Sequence, residues 1–295
     1  MNILTIDNLS KNYGKIQALQ QVSFSVPQGT VYGILGPNGS GKTTMLGIVM
    51  DVLKSSGGSY RLFDEMPNET HRKRMGTLLE TPNFYHYLSA VQNLKIAAKI
   101  KQRGEDDIDR VIEVVGLTQR KNSPFSSYSL GMKQRLAIGS ALLGNPEVLV
   151  LDEPTNGLDP VGIAEIRSLI MSLASQGKTI IMASHMLDEV EKVCTHVAIL
   201  KYGKLIASGD VNEILVNEDV VELAASNLDA LKNMLTSFPN ILSIQIKDKA
   251  VQMNLPQGTA NMESINKFCF DNNIVLTHLQ LKKKSLETKF LELTN

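Results

Sequence analysis

A glycine-rich segment constrains the fold of this chain more than any other feature of its sequence. Residues 36–43 read Gly-Pro-Asn-Gly-Ser-Gly-Lys-Thr, and the apolar run Val31–Leu35 comes directly before them. The pattern predicts a buried strand, a tight turn and a helix that begins at about Lys42. Glycines let the backbone curl so that successive N–H groups face one anion, at the positive end of the helix dipole. The segment therefore predicts a loop that binds the phosphates of a nucleotide.

The side chains that follow the turn suit the rest of a nucleotide. We expect Lys42 to reach the β- and γ-phosphates and the hydroxyl of Thr43 to bind Mg²⁺. A glycine-rich turn without a ligand is the alternative, which the complete pattern argues against. The candidate phosphate-binding residues are Gly36, Pro37, Asn38, Gly39, Ser40, Gly41, Lys42, Thr43 and Thr44.

Two adjacent carboxylates follow a second apolar run. Asp152 and Glu153 come directly after Val148–Leu151. The first carboxylate can hold a water bound to Mg²⁺, and the second can act as general base toward a water that attacks the γ-phosphate. The alternative is that both side chains only cap the turn at Pro154. Combined with a phosphate-binding loop, the pair predicts a nucleotide hydrolase.

The spacing of apolar runs predicts the fold class of the first two thirds of the chain. Strand-like runs at Thr179–Ala183 and His196–Leu200 alternate with longer amphipathic stretches, which is typical of a mostly parallel α/β core. Asp159 before Pro160 is a suitable N-cap with proline at the first helical position, so we expect a helix to begin there. Residues 81–143 have helical periodicity and predict a helical lobe.

The character of the sequence changes after about residue 216. Shorter apolar units follow in an order that predicts strand, helix, strand, strand, helix and strand, with a last helix at Ser285–Leu293. That order resembles a ferredoxin-like module. We therefore expect two domains, a nucleotide-binding domain at residues 1–215 and a small α+β domain at residues 216–295.

Composition argues against several classes of protein. The 30 basic and 30 acidic residues cancel, so no basic footprint for nucleic acid is expected. No apolar run approaches the ~20 residues that span a bilayer, and the first residues lack the pattern of an export signal. The two cysteines, Cys194 and Cys269, lie far apart and favour a reduced, cytoplasmic compartment.

A series of motifs occurs in the order seen in the ATP-binding subunits of ABC transporters, which this chain resembles over residues 1–215. Besides the phosphate loop, these motifs are Ser129-Leu130-Gly131 before Gln134-Arg135, Leu151–Pro154, Gly157–Pro160 and Ala183-Ser184-His185. Within that family the chain is similar to bacterial bacitracin- and lantibiotic-type drug exporters, which share a Ser-Leu-Gly-Met signature and a short C-terminal domain. The resemblance implies a P-loop NTPase (ABC ATPase) core of α/β class with a helical subdomain, plus the small α+β domain.

The resemblance also implies roles for single residues. Tyr13 looks like the aromatic residue that stacks on the adenine of ATP. Ser129 and Gly131 look like the signature that contacts the γ-phosphate of ATP held by a second subunit. Asp159 looks like the aspartate that links the two sites, and His185 looks like the histidine that senses the γ-phosphate. The implied catalytic residues are Glu153, His185 and Lys42.

Two positions depart from the pattern of the family. Leu130 stands where the signature has glycine, and it brings a bulkier side chain next to the second subunit's nucleotide. Glu80 stands where the family often has a glutamine that meets Mg²⁺ and the attacking water. The residues implied to bind Mg²⁺ are Thr43, Asp152 and Glu80.

The family implies a mode of action. Two copies would form a homodimer around two ATP molecules and drive a separate transmembrane permease, with the chain peripheral to the inner face of the cell membrane. The helical lobe near Glu80–Leu88 would be the docking surface, and Phe84, Tyr85 and Tyr87 are candidate anchors for a partner, with packing inside the lobe as the alternative. Export of a peptide antibiotic or drug is the function that the resemblance favours.

Two other functions stay open in the sequence. A non-transport ABC ATPase that acts on ribosomes or DNA predicts fused ATPase units with a basic linker, or a coiled-coil insertion, and neither is visible. The sequence alone does not distinguish a resistance or signalling module from an exporter. The direction of transport and the cargo are open in the same way.

Overall fold

The structure, a computed structural model, describes residues 1–79, 83–215, 218–256 and 258–282. Glu80 and the helix predicted at Ser285–Leu293 lie outside the described residues. The contacts divide the chain into two compact units, of which the first is Met1–Val211 and the second begins at Asn212. Each unit has its own hydrophobic core.

The first unit alternates strands and helices along most of its length. Its strands are β1 (Asn2–Tyr13), β2 (Ile16–Pro27), β3 (Val31–Leu35), β4 (Gly57–Leu62), β5 (Met75–Leu78), β6 (Val148–Asp152), β7 (Thr179–Ser184), β8 (His196–Lys201) and β9 (Lys204–Asp210). Its helices are α1 (Lys42–Val49), α2 (Glu69–Lys73), α3 (Ala90–Lys101), α4 (Ile108–Val114), α5 (Leu130–Leu142), α6 (Pro160–Ser175) and α7 (Leu187–Val193), and α8 (Val211–Leu215) spans the division between the units.

A six-stranded sheet carries the first unit, in the order β5-β6-β7-β3-β8-β9. Neighbouring strands are parallel, except that β8 and β9 form an antiparallel hairpin. Every residue of β3, β6 and β7 is buried, because a parallel sheet is covered on both faces. This burial explains why these strands are continuous apolar runs in the sequence. The predicted α/β fold class is confirmed.

A second sheet, in the order β2-β1-β4, is antiparallel and was not predicted. The register between β1 and β2 shifts at several places, and Asn8 and Gln21 have positive φ angles there. Each bulge breaks the two-residue alternation of buried and exposed side chains on which a sequence prediction depends. One hydrophobic core contains residues of both sheets and of α1, including Leu4, Ile34 and Leu46.

The predicted helical lobe contains α3, α4 and α5. Ser89 and Gln92 form a capping box that fixes where α3 begins. The buried amide of Asn93 accepts a hydrogen bond from the Tyr85 N–H at 2.8 Å and donates to the Tyr85 carbonyl at 3.1 Å. The side chain of Asn93 therefore supplies hydrogen bonds to the backbone of the loop before α3.

The second unit contains one antiparallel sheet and two helices. Its elements are β10 (Glu218–Ala225), α9 (Leu228–Leu235), β11 (Ser243–Lys247), β12 (Ala250–Pro256), α10 (Met262–Asp271) and β13 (Leu276–Lys282). The strand order is β11-β12-β10-β13. Alternate residues of β10 and β12 are buried, such as Val221, Leu223 and Met253, and they pack with Leu231 of α9 and Ile265 of α10. The order of elements is that of a β-α-β-β-α-β unit.

No helix among the described residues is both long enough and apolar enough to span a bilayer.

A partly buried lysine in the helical lobe should make stability depend on pH. The ammonium of Lys101, at the end of α3, donates to the Ser140 carbonyl of α5, and burial lowers the pKa of this lysine to about 8. In the unfolded chain the pKa of a lysine is ~10.4. Between these values the unfolded chain binds more protons than the folded chain, so the free energy of unfolding rises with pH. The slope is up to ~1.4 kcal/mol per pH unit.

We expect Lys101→Met to remove this dependence. Urea unfolding should be measured from pH 7.5 to 10. Over this range the free energy of unfolding of the wild type should rise by about 2–3 kcal/mol relative to that of the variant. Lys99→Met, which changes an exposed lysine of the same helix, is the control and should leave the pH dependence unchanged. The same pH dependence in Lys101→Met and in the wild type would contradict the prediction.

Candidate functional site

The glycine-rich loop connects β3 to α1, as predicted, and passes very close to other backbone. A Cβ atom on Gly36 would lie 2.3 Å from the carbonyl oxygen of Leu200 in β8. Gly41 has a φ angle of 103°, and a Cβ atom there would lie 2.5 Å from the carbonyl oxygen of Ala18 in β2. Both positions require glycine, because a side chain would collide with backbone that cannot move away.

The side chain of Lys42 is buried and reaches back across the loop. Its Nζ donates to the Gly36 carbonyl at 2.8 Å and to the Pro37 carbonyl at 3.3 Å. The same nitrogen lies 3.3 Å from Oε1 of Glu153. The ammonium is therefore fixed between the phosphate loop and the carboxylate pair, at the N-terminus of a helix.

The two carboxylates lie at the carboxyl end of β6. Asp152 is the last residue of that strand and pairs with Ala183 of β7. The backbone N–H of Glu153 donates to the Ala183 carbonyl at 3.0 Å, and Glu153 has a φ angle of 47°. A residue other than glycine in this left-handed conformation is strained, and such strain is concentrated at functional sites. The strained turn directs Glu153 toward Lys42.

His185 joins the same group from a third strand. It follows β7 directly, and its Nδ1 lies 2.8 Å from Oε2 of Glu153. The Oγ of Ser184 accepts a hydrogen bond from the Met186 N–H at 3.0 Å, which closes the turn after the strand. The structure therefore brings together Lys42, Glu153 and His185, from the ends of three neighbouring parallel strands.

The oxygen atoms around this group suit a hard divalent cation. Thr43, Asp152 and Glu153 line one cavity of about 560 Å³, which also borders Leu130 and Gln134 of the helical lobe. Hydroxyl and carboxylate oxygens next to a phosphate-binding loop are the ligands that Mg²⁺ prefers. Thr43 and Asp152 fit that ion. Glu80, the third residue predicted to bind it, lies outside the described residues.

The signature residues occupy a different cavity. Ser129 is the N-cap of α5, and its Oγ accepts a hydrogen bond from the Met132 N–H at 3.3 Å. Asp159 is the N-cap of α6, and its Oδ1 accepts from the Gly162 N–H at 2.8 Å. Ser129, Gly131 and Asp159 line a cavity of about 450 Å³. Within one chain they are therefore not gathered around Lys42 and Glu153.

Leu130, which replaces the glycine of the family signature, borders both cavities. Its side chain is half exposed at the first turn of α5.

Tyr13 lies at the end of β1, in the hairpin that leads into β2. Its ring is exposed, and the Nζ of Lys11 lies 5.0 Å from the centre of the ring. β2 also contributes Ala18, which touches the phosphate loop at Gly41. The structure thus places Tyr13 on the strand pair next to the loop, with the ammonium of Lys11 over its exposed ring.

One contact beside the site was missed by the sequence analysis. Arg167 of α6 forms an ion pair with Glu189 of α7 at 3.0 Å. The partners are 22 residues apart in the sequence, so no local spacing reveals them. Each residue taken alone looks like an ordinary charge on a helix surface.

Two glycines of the phosphate loop allow a matched test of its geometry. Gly39 has a positive φ angle but open space around its Cα, whereas Gly41 has both a positive φ angle and a close backbone neighbour. Gly39→Ala should lower the free energy of unfolding by about 1–2 kcal/mol, the cost of the left-handed conformation. Gly41→Ala should lower it by about 1–3 kcal/mol more, because the loop must also shift. Urea unfolding measures both values, and equal losses would show that the approach to Ala18 is unimportant.

Comparison with known proteins gives the same family as the motifs. The model of the family described as ABC transporter matches residues 19–156. The bacitracin transport ATP-binding protein BcrA of Enterococcus faecalis is 33% identical over 99% of this chain and 96% of its own length. The lantibiotic transport ATP-binding protein SrtF of Streptococcus pyogenes is 37% identical over 75% of this chain and 99% of its own length.

Solved structures agree with these relatives. The cbiO1 protein of Clostridium perfringens, described as part of the ABC transporter complex cbiONQ, has a TM-score of 0.66 and 28% identity, over 81% of this chain and 96% of that one. A nucleotide-free ATP-binding cassette from an ABC transporter has a TM-score of 0.64 and 27% identity, over 71% of this chain and 92% of that one. The predicted family is confirmed, and this chain is an ATP-binding protein of the ABC transporter family and an ATPase of that family.

Proposed function

We propose that two copies of this chain bind and hydrolyse ATP between them and thereby drive a separate membrane permease that exports a peptide antibiotic or drug. The convergence of Lys42, Glu153 and His185 at three strand ends carries the hydrolytic part of this proposal. The export part rests on similarity to proteins described as bacitracin and lantibiotic transport ATP-binding proteins.

Within one chain, the residues around the phosphate loop would bind ATP. The loop residues 36–44 would surround the phosphates with backbone N–H groups. The exposed ring of Tyr13 would stack on the adenine. Thr43 and Asp152, together with Glu80, would hold Mg²⁺, which when bound neutralises charge on the phosphates.

Glu153 would act as the general base. Its Oε1 lies 3.3 Å from the ammonium of Lys42, and its Oε2 lies 2.8 Å from Nδ1 of His185. An arriving triphosphate offers Lys42 a more highly charged partner than Glu153, so the ammonium would turn to the β- and γ-phosphates. The freed carboxylate would then accept a proton from the attacking water. His185 would hold the carboxylate in place and contact the γ-phosphate.

The signature cavity would serve the ATP of the other copy. The Ser129 oxygen accepts from the Met132 N–H, which leaves the hydroxyl proton free to donate to a phosphate. α5 is 13 residues long, and its N-terminus, with Gly131 in the first turn, attracts an anion. Asp159 borders the same cavity. Because these groups lie away from Lys42 in their own chain, a second copy is needed to complete each site.

A groove in the helical lobe would receive the permease. It has a volume of about 600 Å³ and is lined mostly by apolar side chains, among them Leu79, Phe84, Tyr85, Ile96 and Ile100. The Phe84 ring packs against Phe125 at 5.2 Å, so it forms the wall of the groove. Tyr85 is exposed, and its ring packs against the exposed ring of Tyr87 at 6.1 Å. An apolar groove of this kind suits an amphipathic helix that a permease would present at the inner membrane surface.

Replacing the proposed base should separate ATP binding from hydrolysis. Glu153→Gln keeps the shape of the side chain but cannot accept a proton, so kcat for ATP should fall by ~100-fold or more. Binding of ATP should persist, and ATP should convert the variant into a dimer visible by light scattering. Glu147→Gln, at the opposite end of β6, is the control and should keep wild-type turnover. Unchanged turnover in Glu153→Gln would rule out Glu153 as the base.

The docking groove can be tested with one charge. Ile100 is 78% exposed at the groove, and Ile100→Asp should abolish co-purification of a helical membrane protein with the chain from solubilised membranes. Val52→Asp introduces the same charge at an apolar residue that is 70% exposed outside the groove, and it should keep the partner. Recovery of ribosomes or DNA with the wild-type chain, in place of a membrane protein, would overturn the proposed permease.

A further inference from the structure

A partly buried ion pair joins α6 and α7, the helices that follow β6 and β7. Glu189 of α7 accepts hydrogen bonds from Nη1 of Arg167 in α6, at 3.0 Å and 3.2 Å to its two oxygens. The Nζ of Lys192, one turn further along α7, lies 2.9 Å from Oε1 of Glu189. Two cations from two helices therefore share one carboxylate.

The carboxylate is unusually inaccessible for an ion pair. The side chain of Glu189 is 9% exposed, compared with 17% for the paired carboxylates of Asp107 and Glu222. Removal of a carboxylate from water costs several kcal/mol unless its partners are well placed. An ion pair on the surface, by contrast, contributes little. The position of Arg167 relative to Glu189 is thus much more tightly constrained than in a surface pair.

The link between Glu189 and the active site is short and stiff. α7 begins at Leu187, two residues after His185, and Glu189 lies in its first turn. The Val190 N–H donates to the Met186 carbonyl at 3.2 Å, and the Met186 N–H donates to Ser184. These two hydrogen bonds connect the end of β7 to the first turn of α7, so we expect a shift of that turn to move His185.

The opposite side of α7 is also fixed. Val190 packs onto Gly33 in the middle of β3, where a Cβ atom would lie only 2.6 Å from Cγ1 of Val190. β3 is the strand that leads into the phosphate loop. The first turns of α7 are thus held between that strand and Arg167 of α6.

We propose that the ion pair of Arg167 with Glu189 positions His185 against Glu153, a role that rests on the proposed function of His185. The pair sets where the first turn of α7 lies, and that turn sets the distance from the imidazole to the Glu153 carboxylate. Neither residue of the pair touches the phosphate loop or the carboxylates. Both act through His185, and so they are positioning residues.

A purely stabilising pair would behave differently from a positioning pair. Loss of a stabilising pair lowers the fraction of folded protein and leaves each folded molecule equally active. Loss of a positioning pair lowers kcat in protein that is folded, while ATP affinity, which depends on the phosphate loop, is kept. Kinetics together with unfolding measurements separate these two roles.

The first experiment compares Glu189→Gln and Arg167→Gln with the wild type in steady-state ATP hydrolysis. We expect kcat to fall about 10-fold, because a displacement well below 1 Å at a reacting group has effects of this size. KM should stay within about twofold, since ground-state binding is not altered. Arg167→Lys keeps a cation and should restore most of the lost kcat. Glu147→Gln breaks an equally direct pair with Arg74, at the far end of β6, and should keep the wild-type kcat.

The second experiment repeats Glu189→Gln in a His185→Ala background. If the pair acts through His185, Glu189→Gln should lower kcat by less than about twofold in the His185→Ala background. Both substitutions would then remove the same contribution, that of a correctly placed His185. An equal fall in both backgrounds, or no fall in the wild-type background, overturns the proposal. If His185→Ala itself leaves kcat unchanged, the proposed role of His185 fails, and the inference fails with it. Should Glu189→Gln not fold, Arg167→Gln decides in its place, because it leaves Glu189 paired with Lys192.

Discussion

The buried ammonium of Lys42 is the contact on which the site depends. It lies within hydrogen-bonding distance of the Gly36 carbonyl and 3.3 Å from the Glu153 carboxylate, and so it joins the end of β3 to the end of β6. A charge in such a place is stable only with partners close to it. These partners come from parts of the sequence more than a hundred residues apart, and the order of strands in the sheet brings them together.

The strand order explains why three separate motifs form one site. β7 lies between β6 and β3, so the residues that follow these strands meet at one edge of the sheet. Ligands of open parallel sheets bind at this carboxyl edge. Helices exclude water from the strands, and Gly33 and Gly76 have no side chain that would keep α7 and α5 away from the sheet. The rigid sheet thus provides fixed positions, and the turns provide the chemistry.

The predicted site residues of this chain lie around two different cavities. Glu153, which His185 contacts, borders the cavity next to the phosphate loop, while Ser129 and Asp159 border another cavity. Leu130 lies between the two. The distribution of these residues over two cavities of one molecule is the observation that supports the proposed dimer. The apolar groove at Ile100 lies largely on the helical lobe and is a separate cavity from these two.

Local sequence determined the phosphate loop, the strand before it, the carboxylates after β6 and the cap at Asp159, because each of these depends on residues within a few positions. The bulged sheet of β1, β2 and β4 and the pair of Arg167 with Glu189 were decided only by the tertiary structure. Bulges erase the alternation that marks a strand, and an ion pair between helices depends on how those helices pack. The sequence by itself determined which chemical groups follow each strand, and the packing of strands and helices decided which of them meet.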